Sequence, residues 1–223
     1  MFNLNICLIF APRKQQGYTM DKKDHIIENA VELFAEKGFE GTTIRNLASK
    51  AEVNVAMVNY YFGSKEKLFE AMVAQKAAYS KGMIEEIVKD NSLSDIEKID
   101  RIIDGFVNRL FSNRKFHRII HQELMLSQRE NLQQAIVDIL YPNSMLIRNL
   151  IDAAIKRGSF KKVDSTLVIA TIIGTINHVL LSKKMCNKLF GKEDHHIPYE
   201  DPKFIKRVVV HLKDMLHAYL LKN

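Results

Sequence analysis

The chain has 223 residues, 47% of them apolar and 26% charged, which is the balance of a packed soluble protein and excludes a disordered one. Its length admits one large helical domain or a small domain joined to a larger one. The formal charge of +7 invites a polyanionic partner, but residues 1–75 hold nine Lys and Arg against nine Asp and Glu. The whole excess lies beyond residue 75, so overall basicity carries no argument for DNA.

In chain order, the apolar run Phe2–Ala11 raises the question of a signal peptide, but it lacks a preceding basic residue and a small-x-small cleavage site. Met20 directly precedes the first periodic segment, so residues 1–19 are expected to be a disordered or misannotated extension. Lys22–Lys37 is expected to be a helix, with Ile26, Ile27, Ala30, Val31, Leu33 and Phe34 on one stripe and Gly38 as its stop. A long helix is expected from Lys65 to about Asp90. Ser94 and Glu97 make a capping box for a helix over Asp95–Ser112, and Lys115–Ser127 follows. Leu132–Leu140 and Met145–Lys156 read as helices meeting at a kink or break at Tyr141-Pro142. Asp164 caps an apolar segment, Leu167–Met185; Cys186–Tyr199 is expected to be a loop, and Asp201-Pro202 opens a last helix through Leu221. No strand is expected. No stretch reaches the roughly 20 apolar residues of a membrane span. Cys7 and Cys186 belong to no metal or redox pattern, as expected of free thiols in a reducing cytoplasm.

The most informative segment is Thr42–Phe69. Thr42 reads as an N-cap; Leu47, Ala48 and Ala51 form one apolar face, and Val53 and Val58 supply the facing groups after a turn at Ala51–Asn54. This is the pattern of a helix-turn-helix, whose second helix, here Val55–Phe62, enters the major groove. Its outward face would carry Asn54, Ala56, Met57, Asn59, Tyr60 and Tyr61, whose amide, methyl and phenol groups suit base edges and phosphates. Ser64 caps the next helix, placing Lys65 beside free backbone N–H groups as a phosphate clamp.

Residues Asp21 to about Val73 resemble the N-terminal DNA-binding domain of the TetR family of bacterial transcriptional regulators. The resemblance rests on Ile26–Phe39, Gly41-Thr42-Thr43-Ile44, Leu47-Ala48 and Asn59–Leu68, in order and spacing. It implies phosphate or base contacts from Thr43 and Arg45, groove contacts from Asn54, Ala56, Met57, Asn59 and Tyr60, and backbone contacts from Tyr61 and Lys65. One position departs: the family usually has Gly where this chain has Glu52, at a turn that favours a left-handed backbone.

The resemblance further implies an all-α fold: a helix-turn-helix domain over residues 20–73 and a larger helical ligand-binding and dimerisation domain over residues 74–223. The expected partners are double-stranded operator DNA, a second copy through the helices Asp164–Met185 and Pro202–Leu221, and a small apolar effector. Ile172 and Ile176 are expected mid-helix in that dimer bundle. Candidates for effector contacts are Phe106, His121, Met125, Thr175 and His178; the polar stripe Thr171, Thr175, His178 suits a ligand cavity or a dimer interface equally. His117, His121 and Glu123 mark no nucleophile, and the loop Glu193-Asp194-His195-His196 has no matching ligands elsewhere, so neither an enzyme nor a metal site nor a cofactor is expected. The competing expectation is a helical adaptor without sequence-specific DNA binding.

Overall fold

The computed structural model describes residues 21–126 and 129–222, which form ten α-helices and a short 3-10 turn, with no strand among the described residues. The helices are α1 (Lys22–Lys37), α2 (Ile44–Lys50), α3 (Val55–Phe62), α4 (Lys65–Lys89), α5 (Asp95–Ser112), α6 (Arg114–Met125), α7 (Glu130–Arg157), α8 (Ser165–Leu181), α9 (Lys183–Leu189) and α10 (Pro202–Leu220). The expectations for residues 1–19, for Cys7 and for a helix end at Ser127 lie outside the described residues.

Two apolar cores organise the chain. The first gathers Ile26, Ala30 and Phe34 of α1, Leu47 and Ala48 of α2, Val58 of α3, and Leu68, Phe69 and Met72 of α4. Phe34, Phe39 and Phe69 meet there with ring centroids 5.2 to 5.7 Å apart. This core does not end with the head, residues 21–73: Phe116, Ile119 and Ile120 of α6 and Leu132 and Ile136 of α7, from the helical body that follows it, complete it. The second core joins Ile84 of α4, the inner faces of α5, α8 and α10, and residues 147–154 of α7. The long helices α4 and α7 therefore belong to both cores and couple them mechanically.

Local chemistry explains the helix ends. Asp21 caps α1 and Asp201 caps α10, each accepting from a backbone N–H two residues on. Ser94 and Glu97 form the expected reciprocal capping box. At α2, however, the N-cap is Thr43, which forms a capping box with Asn46. Thr42 is buried instead, its hydroxyl donating to the Gly38 carbonyl at 2.7 Å. Two adjacent threonines can each cap, and the apolar packing of α2 selects the second. Glu52 does take the left-handed conformation, with φ of 53°, and Val53 N–H reaches back to the Ala48 carbonyl at 2.9 Å to close α2.

Three features of the long helices depart from expectation. α7 runs unbroken through Pro142. The N–H that proline lacks would have met the carbonyl of Asp138; Pro142 and Asp138 are both exposed, so water can serve that carbonyl. Asn143, next along α7, is buried and donates to the Ala77 carbonyl of α4 at 3.0 Å, holding the two helices together across the proline. The apolar segment after Asp164 stops at Leu181 and not at Met185, and α9, turned by 94° from α8, carries helix into the loop expected from Cys186. Among the described residues no single helix is long and apolar enough to cross a membrane. Finally, Ile172 and Ile176 face the chain's own core, at 5% and 0% exposure, and are not interface residues. Their spacing along α8 matches that of the inward residues Val168 and Val179.

A candidate DNA interface and its link to the helical body

α3 is anchored by one face. Val58 and Phe62 are buried and Met57 packs half-buried against the first core. Asn54 caps the helix, its side-chain oxygen accepting from the Met57 N–H at 2.7 Å. The opposite face is free of core duties: Asn54, Ala56, Asn59 and Tyr60 are exposed, Tyr60 at 84%. Tyr61 is half-buried and sets its ring edge against Tyr60, with centroids 5.4 Å apart. Val55 is also exposed in the first turn, and sequence reasoning missed it. No signal in the pattern marked it, because Val55 stands at i, i+3 from the inward Val58, a spacing that shares a helix face; Val53, in the turn, packs against the core while Val55 stays outside. A methyl-bearing side chain at that end of α3 is suited to a thymine methyl.

At the start of α2, Thr43 and Arg45 are both exposed. The Thr43 hydroxyl accepts from the Asn46 N–H at 3.1 Å and donates to the Asn46 side chain at 2.8 Å. Lys65 is placed differently from a free clamp. Its ammonium lies 4.2 Å above the Phe39 ring and donates to the Phe39 carbonyl at 2.9 Å, tying the first turn of α4 to the loop before α2.

Arg129 reinforces the same loop from the body. Its guanidinium lies 4.6 Å from the centre of the Phe39 ring, pairs with Glu40, and donates from Nε and Nη2 to Glu123 at 3.0 and 2.7 Å. Glu123 is 4% exposed, so Arg129 neutralises a carboxylate that would be costly to bury alone. Further ties cross between head and body. Arg118 donates to the Ala35 carbonyl at 2.8 Å, and Gln75 donates to Asp24 at 2.8 Å. Lys76 on α4 pairs with Glu28 on α1 at 2.6 Å, while its carbonyl accepts from Arg109 of α5 at 2.6 Å. A cleft of about 640 Å³ separates α1 from the α5–α6 corner, lined by polar groups including Asn29, Asn108, Arg114 and Tyr199. None of the expected effector residues lines it.

Those five residues are not brought onto one wall. Phe106, His121 and Thr175 are half-buried, but Met125, at the last turn of α6, is 79% exposed and His178 is exposed on the outer side of α8. His117 is mostly buried, and its imidazole is held far below the ordinary range, at about 3. Burial is the main cause; the nearby Arg109 charge and His121 add to it. Burial raises the Cys186 thiol, which is free and packed inside. His195 approaches Glu193 at 3.1 Å, and among the described residues no group of three metal-ligating side chains comes together.

Comparison with known proteins bears directly on this arrangement. Residues 26–72 match the family of bacterial regulatory proteins of the tetR type, and residues 73–193 match the C-terminal region of YsiA-like proteins. The chain is 27% identical over 188 residues to the probable HTH-type transcriptional regulator YttP of Bacillus subtilis, covering 84% of this chain and 81% of the relative. Over 51 residues, 23% of this chain and 27% of the relative, it is 43% identical to IcaR of Staphylococcus aureus, the negative transcriptional regulator of the biofilm operon icaADBC. The fold is shared with the transcriptional regulator FadR of Bacillus subtilis, solved in complex with stearoyl-CoA. That match has a TM-score of 0.70 at 23% identity and covers 86% of this chain and 96% of that one. The matches over residues 26–72 and 73–193, with the YttP relative, place the chain in the TetR family of bacterial transcriptional regulators, as a DNA-binding protein.

Proposed function

We propose that the protein is a cytoplasmic homodimeric repressor that leaves its operator when a small, largely apolar effector binds the helical body. The observation that carries the reading is α3 itself. Its inner side is fixed by Val58 and Phe62, while Asn54, Val55, Ala56, Asn59 and Tyr60 are exposed with no structural task except the cap made by Asn54. These groups would read base edges, with Thr43, Arg45 and Tyr61 on the flanking phosphates; Lys65 would hold the loop and lend its charge at short range.

Dimerisation is supported by the outer side of α8. Leu167, Ala170, Thr171, Gly174, His178 and Leu181 form an exposed stripe at helical spacing, with Leu167 at 61%. A side chain at Gly174 would meet nothing within 4 Å in the subunit, so its own fold does not require glycine there; close approach by a second α8 does. Val210 and Tyr219 extend the exposed apolar surface along α10. A two-fold dimer would set two α3 helices on half-sites about 34 Å apart. The effector reading is supported by α4, which carries the head and is gripped by the body at Lys76 and Ala77. It is also supported by the stearoyl-CoA bound to the FadR relative. Sequencing DNA recovered with the purified protein is the test, followed by titration on the recovered sequence. Recovery of random fragments only, bound with equal affinity, would favour the adaptor reading.

A further inference from the structure

Proteins gain affinity for DNA by displacing counterions from phosphates, yet the head brings no net charge, since residues 1–75 hold nine basic and nine acidic side chains. The excess lies in the body, and one stretch there is basic without any acid. Residues 181–192 contain Lys183, Lys184, Lys188 and Lys192 and neither Asp nor Glu. Lys184, Lys188 and Lys192 are exposed, and among the described residues none of the four lysines makes an ion pair. The platform beneath them is fixed. Cys186 and Asn187 are buried, and the Asn187 amide donates to the carbonyls of Glu193 and His196 at 2.9 Å each. Lys184 and Lys188 stand one turn apart on α9 and form one ridge. Arg207, 4.7 Å from the centre of the Phe190 ring, adds a cation where α9 ends. Of the acids that follow, Glu193 faces His195, Glu200 pairs with Arg114 and Asp201 caps α10, while Asp194 is exposed. This ridge lies at the head end of the body. α9 packs on the 3-10 turn Pro198–Glu200, whose Tyr199 and Glu200 line a cleft together with Glu28 and Glu32 of α1. The exposed stripe of α8 reaches the same end at Leu181, and α9 then turns 94° across it.

We propose that Lys184 and Lys188 of α9 form a second, sequence-independent DNA contact, on the phosphates between the two half-sites. This rests on the reading of a repressor paired along α8, and it adds a contact made by the body. Pairing along α8 sets the two α9 helices beside the two-fold axis, on the side that carries the heads. DNA spanning half-sites about 34 Å apart passes between the heads there. Lysine is a point charge on a flexible stem, suited to phosphate and indifferent to base sequence. Its attraction extends over about 10 Å at moderate salt, so the ridge also steers the approach of DNA. Met185 and Leu189 are exposed on the same helix. Two apolar side chains on so short a helix make too small a face to hold a lipid surface, and the position beside the heads favours DNA.

The test compares the full chain with a Lys184→Gln, Lys188→Gln variant, on the operator recovered with the protein and on a random duplex of equal length. Each phosphate contact adds about 0.9 to the slope of log affinity against log salt, so losing two lysines from each protomer should lower it by about 3–4. Affinity should fall by the same factor on both duplexes, on the order of tenfold or more at low salt, leaving their ratio unchanged. A Lys184→Arg, Lys188→Arg variant should keep the slope, and thermal melting confirms that both variants are folded. Methylphosphonates in place of the phosphates between the half-sites should weaken the wild type and leave the Gln variant unaffected. An unchanged slope, a loss confined to the operator, or an equal methylphosphonate effect in both proteins overturns the proposal. So does a loss seen only with phosphatidylglycerol vesicles, which would assign the ridge to a lipid surface. A dimer that survives Leu167→Asp removes the α8 pairing and this proposal with it. A confirmed α8 dimer with an unchanged salt slope removes this proposal alone.

Discussion

Arg109 and Lys76 are joined through a backbone carbonyl, at 2.6 Å, while the Lys76 ammonium is joined at the same distance to Glu28 on the head. One residue of α4 thus carries a body contact on its main chain and a head contact on its side chain. Loss of the side-chain link should leave folding nearly intact, since exposed pairs contribute about 1 kcal/mol or less. Lys76→Met is therefore expected to keep operator affinity within a few-fold but to reduce the loss of affinity caused by effector. Operator titrations with and without effector measure that ratio.

Tyr60→Ala and Asn59→Ala should each weaken operator binding on the order of tenfold while leaving the melting temperature unchanged. The basis is that both residues are exposed, Tyr60 at 84%, and neither belongs to the first core. Lys65→Ala should behave otherwise and lower stability as well, because its ammonium is bonded to the Phe39 carbonyl. Parallel melting curves and binding isotherms separate the two classes, and an unstable Tyr60→Ala would contradict the placement of α3.

The dimer face can be told from the core on one helix. Leu167→Asp should give a folded monomer, since Leu167 is 61% exposed. Ile176→Asp should unfold the chain, because Ile176 is fully buried and a lone buried charge is costly. Circular dichroism with light scattering reads both, and a clean Leu167→Asp dimer would move the interface off α8.

Glu52→Gly should stabilise the protein by about 1 kcal/mol, since glycine adopts a positive φ without the penalty that Glu incurs. Arg129→Met should destabilise it by about 3–5 kcal/mol by leaving buried Glu123 unpaired. Adding Glu123→Gln should recover part of that loss. Urea titrations give all three values.

His117 sets a pH window. Its folded value is about 3 and its ordinary value 6.5, so between them the unfolded chain binds a proton that the native chain does not. Stability is therefore complete above pH 6.5 and falls as the pH drops toward 3. His117→Gln should flatten the part of that fall between pH 6.5 and about 5, where carboxylates still carry their charge. Urea midpoints of the two proteins across that range provide the check.

Helix existence and the helix-turn-helix were legible because periodicity and caps are local: the box at Ser94 and Glu97 and the strained Glu52 appear where residue types placed them, whereas the cap made by Asn54 appears only in the structure. What was illegible depends on partners far along the chain. Thr42 and Thr43 exchange roles because α2 must seat Leu47 and Ala48 in a core shared with α6. Pro142 is tolerated because a solvent-side carbonyl loses the bond while Asn143 grips α4. Lys65 turns inward because Phe39 offers both a ring and a carbonyl, and Met125 leaves the body because α6 ends there.

The head borrows Phe116, Ile119, Ile120, Leu132 and Ile136 from the body to finish its core. A fragment cut after α4 would expose the apolar patch those five side chains cover, and would be prone to aggregate rather than bind DNA. Hybrid regulators that graft this reading head onto another sensor must carry matched α6 and α7 surfaces with it, because the exchangeable unit is larger than the DNA-contacting one.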